Sequence, residues 1–221
     1  MSGRIALLAG GTGLVGGACL QALLRHPEYE QVHLLTRRDV PGPAHPKLSQ
    51  CVVDFSAPET LKLPAATDVF CALGTTIRKA GSQQAFRHVD FEVPLAIARL
   101  GLQNGARNFA LCSSVGADPA SRNFYLRTKG ELEQALRALP FQGLRIFRPS
   151  MLVGERPEPR PGEFFGVAAG RILRFMMVGP LRRYRPVAAE EVGRAMAAAE
   201  GTGVACYEYD AIRALARTLP A

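Results

Sequence analysis

Three absences narrow this sequence before any motif is read. No apolar run reaches the roughly 18 residues of a membrane-spanning helix, so no membrane span is expected. No two cysteines are spaced C-x-x-C. The five are scattered, with Cys51, Cys71 and Cys112 in apolar settings, which reads as reduced buried thiols and excludes a disulfide frame or a zinc site; no metal is expected. There is no helix-turn-helix, zinc or RNA-binding motif, no internal repeat and no low-complexity tail. Acidic residues are also outnumbered, 19 Asp and Glu against 27 Lys and Arg, for a net charge of +8 and a pI near 9.7. Nucleic acid or an anionic membrane surface would suit that excess, and so would a polyanionic cofactor on an ordinary solvated surface. Without a binding motif, no nucleic-acid partner is expected.

What is present is an apolar content of 48% in 221 residues, enough for one domain, or one domain with a small appendage. The first twenty residues, MSGRIALLAGGTGLVGGACL, have the outline of a signal peptide, but glycines interrupt the apolar run and a strand, turn and helix explain them better. A soluble cytoplasmic protein is expected. Short apolar runs then alternate with amphipathic stretches. RIALLAG, QVHLLT, QCVVDF, DVFCALG, NFALCSS and LRIFRPS read as six strands, with Cys71 and Cys112 ending two that are expected to be neighbours. LVGGACLQALLRH, DFEVPLAIARLGLQNG and SRNFYLRTKGELEQALRAL read as helices. The links around the third strand hold too much proline, or too few residues, for a full helix. Strand–helix alternation predicts an α/β fold, a doubly wound parallel sheet of the Rossmann-like kind. After the sixth strand, GERPEPRPGE (Gly154–Glu163) reads as a loop or flap that closes on ligand. A helical stretch near Phe164–Met177, the arginine-rich PLRRYRP, the helix AAEEVGRAMAAAE, a short strand VACYEYD and a terminal helix then form a small C-terminal subdomain.

The loop LLAGGTGLVGG follows the first strand and opens the first helix. Gly10 suits a tight turn, Gly13 lets backbone approach a pyrophosphate, and Gly16 lets the helix pack close to the sheet. With Thr12, Leu14 and Val15 they form the candidate phosphate cradle, where free N–H groups and the positive end of the helix dipole meet an anion. The alternative is a purely structural turn. The domains are therefore read as 1–155, NAD(P)-binding, and 156–221, a substrate or cap region. Where an acid would bind the ribose 2′-hydroxyl of NAD, the second strand ends on Arg37 and Arg38, which suit the 2′-phosphate of NADP; the alternative is two solvated arginines. Asp54, ending the third strand, is a candidate for the adenine amino group, or a loop cap.

Tyr125 and Lys129 are i and i+4 on one helix face, just after a strand that ends CSSVGAD. A free phenol, pKa about 10, is too weakly acidic to act as a base at neutral pH. One ammonium at about 4 Å is worth roughly 4 kcal/mol at an effective dielectric near 20, enough to change that. A serine hydroxyl at the strand end would steady an oxyanion. The alternative is a half-buried tyrosine beside a solvated lysine.

The glycine spacing, the strand-end serines, Tyr-x-x-x-Lys and FRPS together resemble the short-chain dehydrogenase/reductase superfamily. SSVGAD, NFYLRTKGELE and FRPSMLVGERPEPRPGE narrow the likeness to its atypical branch, that of the Tat-interacting TIP/CC-type oxidoreductases. The resemblance covers most of the chain and fades over the last forty or so residues. It implies Tyr125 as general acid/base, Lys129 as the group that lowers its pKa and holds the nicotinamide ribose, and Ser114 as the residue that orients the substrate carbonyl, with Ser113 as fallback. It further implies that ALGTT, with Leu73, Gly74 and Thr75, lines the adenosine half of the cofactor, and that Arg148, Pro149 and Ser150 border the nicotinamide. Many members carry an asparagine on the helix after the fourth strand, and Asp90 stands there instead. The expected activity is NADP-dependent hydride transfer, NAD being less suited, between nicotinamide and a carbonyl or alcohol substrate. Rival readings are a dinucleotide sensor acting through a protein partner and a sugar-nucleotide epimerase or dehydratase. His88 is a candidate for facing substrate, against a solvated loop histidine. RILRFMMVGPLRRYR reads as a cover over the cleft or a homodimer contact, against a membrane or partner surface.

Overall fold

A computed structural model of the chain describes residues 3–41, 44–153 and 177–219. The described strands are β1 (Arg4–Ala9), β2 (Tyr29–Thr36), β3 (Leu48–Val52), β4 (Asp68–Cys71), β5 (Asn108–Cys112), β6 (Gly143–Phe147), β7 (Leu152–Val153), β8 (Val187–Ala188) and β9 (Gly203–Tyr207). The helices, numbered in chain order, are α1 (Leu14–Arg25), α2 (Ile77–Ala80), α3 (Gln83–Arg87), α4 (Val93–Gln103), α5 (Phe124–Arg137), α6 (Ala189–Ala198) and α7 (Tyr209–Ala216). Seven strands form one sheet in the order β3-β2-β1-β4-β5-β6-β9, every pairing parallel, while β7 and β8 make a separate two-stranded ladder. This is the doubly wound α/β fold expected of the strand–helix alternation.

Burial follows strand position. β4 and β6 are buried along their whole length, as parallel strands covered on both faces must be, whereas of the edge strands β3 is largely half-buried and β9 largely exposed. One apolar cluster lies between the sheet and α1, α6 and α7, with Cys19, Leu23, Val192, Met196 and Ile212 fully buried. The other lies beneath α4 and α5, where Ile97, Phe109, Leu132 and Leu136 are fully buried. Burying each such side chain contributes about 1.5–3 kcal/mol. Residues 177–219, read from sequence as part of a C-terminal subdomain, supply the seventh strand and two helices of this same fold. The helix AAEEVGRAMAAAE is α6, the strand VACYEYD begins as β9, and the terminal helix is α7. The flap Gly154–Glu163 and the helical stretch after it lie outside the described residues.

The links around β3 agree with their composition: residues 37–47 form no helix where described, and the β3–β4 link holds a single 3-10 turn, Pro58–Thr60. Cys71 and Cys112 do end neighbouring strands. Burial pushes their thiols up, to about 12 and about 11, so both are un-ionised at physiological pH. The region read as a loop around Gly81 is richer than expected. Two short helices flank Gly81, whose φ of +88° ends α2, and side chains of Thr76 and Ser82 cap them. A π-helical turn, His88–Glu92, then feeds α4.

The strand order reverses between β1 and β4. Chain leaves β1 toward β2 on one side and β4 toward β5 on the other, which opens a crevice at the carboxyl ends of these strands.

Candidate functional site

The turn after β1 forms the first wall of that crevice. Gly10 has φ +89°, and a Cβ there would lie 2.6 Å from the backbone of Ala72, just beyond β4. The turn closes with the Gly13 N–H donating to Gly10 O at 3.0 Å. A Cβ on Gly16 would sit 2.0 Å from Gly10 O, so this glycine's close neighbour is the turn itself, where the spacing rule expects the sheet. Gly13 differs. Among the described residues its Cβ would meet only Gly10 O, at 3.3 Å, and both it and Thr12 are exposed. Gly13 is the N-cap of α1 and no side chain caps the helix, so the N–H groups of the first turn, at Leu14, Val15 and Gly16, point where an anion would be received. This arrangement fits a nucleotide pyrophosphate.

Arg37 and Arg38 follow β2 at the same sheet edge, both exposed. Asp54 is also exposed, and its Oδ1 accepts from Ser56 N at 2.9 Å and Ser56 Oγ at 2.7 Å. Those bonds hold its carboxyl below the usual range and make it a turn former through that oxygen.

The second wall is the loop Leu73–Thr76 after β4. Thr75 N–H donates to Asp90 Oδ2 at 2.9 Å. Asp90, wholly buried in the π-helical turn, places Oδ1 2.8 Å from Nζ of Lys129, itself 4% exposed. The two form a close, buried ion pair. Burial alone would push the Lys129 ammonium down; the charges of Asp90 and Tyr125 and the contact with Asp90 more than reverse this, and the net direction is up. Gly74 borders the pair, for a Cβ there would lie 3.5 Å from Asp90 Oδ1 and 3.8 Å from Lys129 Nζ. The glycine turn, the β4 loop and Lys129 are thus contiguous.

The third wall is α5, capped by Asn123, whose side chain accepts from Leu126 N at 3.2 Å. Tyr125 is half-buried in its first turn. Its ring packs on Phe86 of α3 at 5.5 Å between centroids, and Phe124 packs on the same ring at 5.9 Å. Each such pair contributes about 0.5–1.5 kcal/mol beyond its buried area and fixes the phenol's direction. Phe86 was not singled out from sequence; its only signal is an aromatic residue in a polar helix.

The two serines differ sharply. Ser113 is buried and donates to Glu133 Oε1 at 2.6 Å. Glu133, also buried, pairs with Arg148 through Nε and Nη2, the latter at 2.5 Å. Ser114 is half-buried with only a long 3.4 Å contact to Val115 O, which leaves its hydroxyl available. Pro149 is buried and its carbonyl accepts from Val115 N, while Ser150 Oγ donates to Arg185 O. Arg148, Pro149 and Ser150 therefore anchor the end of β6 to neighbouring segments. Glu133 went unnoticed in the sequence, its signal being an acid four residues after Lys129 on the same helix face. His88 uses both ring nitrogens, on Glu92 Oε2 at 2.9 Å and Phe55 O at 2.8 Å, and the Glu92 bond raises its pKa. It serves as a tether. No group of three or more His, Cys, Asp or Glu suited to a metal occurs among the described residues.

A family description, NAD dependent epimerase/dehydratase, matches residues 6–200. The chain belongs to the NAD dependent epimerase/dehydratase family. The motif-based resemblance to atypical short-chain dehydrogenases/reductases is thereby met. In this family the chain is 38% identical to Protein HTATIP2 of Rattus norvegicus over 176 residues, covering 75% of this chain and 72% of that one. It is 32% identical to Protein FMP52, mitochondrial, of Saccharomyces cerevisiae over 202 residues, covering 85% and 84%. Among solved structures, the Bordetella bronchiseptica enzyme WbmH in complex with NAD+ superimposes with a TM-score of 0.66 at 14% identity, covering 97% of this chain and 79% of WbmH. That likeness is one of fold. Membership makes the protein one of a family of NAD(P)-binding Rossmann folds. No helix among the described residues is long and apolar enough to cross a membrane.

Proposed function

We propose that the chain is an NADP-dependent oxidoreductase acting on a carbonyl or alcohol substrate, with Ser114, Tyr125 and Lys129 as its reactive trio. The observation that carries this reading is the contiguity of the glycine turn, Gly74 and Lys129, with Tyr125 one helical turn before the lysine. Bound nicotinamide would supply hydride transfer. The chain's own part is the proton: the Tyr125 phenol gives one to, or takes one from, the substrate oxygen, Ser114 donates a hydrogen bond to that oxygen, and Lys129 provides the positive charge behind both. Arg37 and Arg38 are the proposed 2′-phosphate partners, and they favour NADP over NAD. Cytoplasmic location belongs to the same proposal; the fungal relatives carry a mitochondrial location in their names, and cell fractionation decides between the two.

One observation favours a second reading. The ammonium of Lys129 is paired with Asp90, which weakens its help to Tyr125 and suits a cofactor-binding regulatory protein with little turnover, acting through a protein partner. The test is direct. NADPH and NADH binding are measured on the purified protein, and carbonyl compounds are screened for NADPH oxidation. Loss of turnover in Tyr125→Phe with cofactor affinity kept supports the oxidoreductase. Tight NADPH binding without turnover across a broad screen supports the regulatory reading.

A further inference from the structure

Lys129 is held in a way that Tyr-x-x-x-Lys does not foretell. Four titratable groups act on its ammonium: Asp90 from the π-helical turn, in contact with it, and by charge Tyr125 from α5 itself, Cys112 from the end of β5 and Cys71 from the end of β4. Both thiols are un-ionised near neutral pH, so Asp90 is the counter-charge. Its Oδ1 is 2.8 Å from Nζ, and its Oδ2 is occupied by Thr75 N–H at 2.9 Å. One carboxylate therefore touches the β4 loop, at the residue next to Gly74, and the reactive helix. No other residue of the site bridges these two walls through its side chain among the contacts described above.

We propose that Asp90 is a positioning residue with two duties: Oδ2 holds the cofactor-side loop Leu73–Thr76 in place, and Oδ1 neutralises Lys129, so that the phenol of Tyr125 works beside a paired ammonium and not a free one. This rests on reading Tyr125 as the proton-transferring group. The carboxylate cancels much of the ammonium's field at the phenol. Replacing it by an amide keeps the shape and an acceptor for Thr75 N–H but removes the negative charge. The ammonium's charge then acts on the phenol unopposed.

The experiment follows the ultraviolet absorbance of the phenolate in the cofactor-free protein. Subtracting the same background carrying Tyr125→Phe isolates one tyrosine from the others. In Asp90→Asn the Tyr125 transition is expected to move down by about one to two pH units. Lys129→Gln, which strands the carboxylate, moves it up, and the double variant Asp90→Asn/Lys129→Gln, with no net charge change, returns it near the wild-type position. A transition unmoved or raised in Asp90→Asn, or a double variant that does not return, overturns the charge-setting duty. For the loop, Asp90→Ala weakens NADPH binding about tenfold while Asp90→Asn stays within about twofold; equal affinities in all three proteins overturn that duty. Turnover separates the two layers. If Tyr125→Phe remains active, the acid–base reading fails while the phenolate titration still judges Asp90; if Tyr125→Phe is dead and Asp90→Asn leaves the transition in place, this inference alone fails.

Discussion

Two glycines of one motif make opposite predictions. In Gly16→Ala the new Cβ would lie 2.0 Å from Gly10 O and 2.6 Å from Gly10 C, both backbone atoms of a closed turn. No flexible side chain can yield there, so either the turn or the start of α1 must shift. Overpacking of this kind costs about 1–3 kcal/mol, equivalent to roughly 2–12 °C in Tm for a domain of this size. In Gly13→Ala the Cβ meets only Gly10 O among the described residues, at 3.3 Å, and the φ of −88° and ψ of 170° are open to alanine. The folded state changes little, within about 1 kcal/mol, because the reduced freedom of the unfolded chain offsets the poorer N-cap. The methyl group instead occupies the side of the turn where a phosphate would approach, and nucleotide affinity falls at least about tenfold, or ~1.4 kcal/mol. Thermal unfolding without nucleotide, with NADPH titration by fluorescence, reads both effects. A Gly13→Ala protein that binds NADPH like the wild type, or a Gly16→Ala protein that unfolds at the wild-type temperature, would overturn these two roles.

Three further outcomes are expected. The double variant Arg37→Ala/Arg38→Ala loses about ten- to a hundredfold in NADPH affinity and little in NADH affinity, measured by equilibrium titration; equal losses for both would mean that neither guanidinium reads the 2′-phosphate. Glu133→Ala strands Arg148 and removes the acceptor of Ser113, costing about 3–5 kcal/mol in urea unfolding, while Glu133→Gln, which keeps an acceptor, costs less. Burial lowers the pKa of His33, whose Nδ1 lies 2.6 Å from Ser49 Oγ. The unfolded chain therefore binds this proton more readily, so the contribution is complete above the ordinary histidine value of about 6.5 and is lost as pH falls below it. The urea midpoint should fall on acidification through that range, and fall less in His33→Gln.

What could be read in the sequence was local. The turn Gly10–Gly16 sits between a strand and a helix that adjoin it in the chain, so its geometry is a matter of neighbouring residues. Most strands were legible because buried parallel strands are short apolar runs. Pairing was less legible. Residues 203–207 read as a short strand, yet nothing in their pattern tells that they complete the main sheet beside β6, sixty residues earlier in the chain. The candidate site divides in the same way. The place of Asp90 was visible from its position before an apolar helix, but its choice of Lys129 was not, because that contact joins distant segments across the end of the sheet. Ser113 and Ser114 are adjacent and chemically alike. Only the buried Glu133, hidden in the highly charged run RTKGELEQALR, separates the hydroxyl that is committed from the one that is available.

The buried charges of α5 explain why the site needs more than its motif. Lys129 and Glu133 are one turn apart on the same face, 4% and 2% exposed, and each meets an opposite charge from a different segment: Asp90 before α4, Arg148 after β6. Such pairs add little net stability over well-packed apolar groups, because desolvation consumes most of the attraction. Their effect is on register. Sliding α5 by one residue along the sheet would leave an ammonium and a carboxylate buried without partners, and stranding even one costs about 3–5 kcal/mol. Tyr125 rides on the same helix one turn further out, so these two ion pairs help to set its distance from the β4 loop. The corresponding expectation is that Glu133→Gln lowers turnover more than it lowers NADPH affinity.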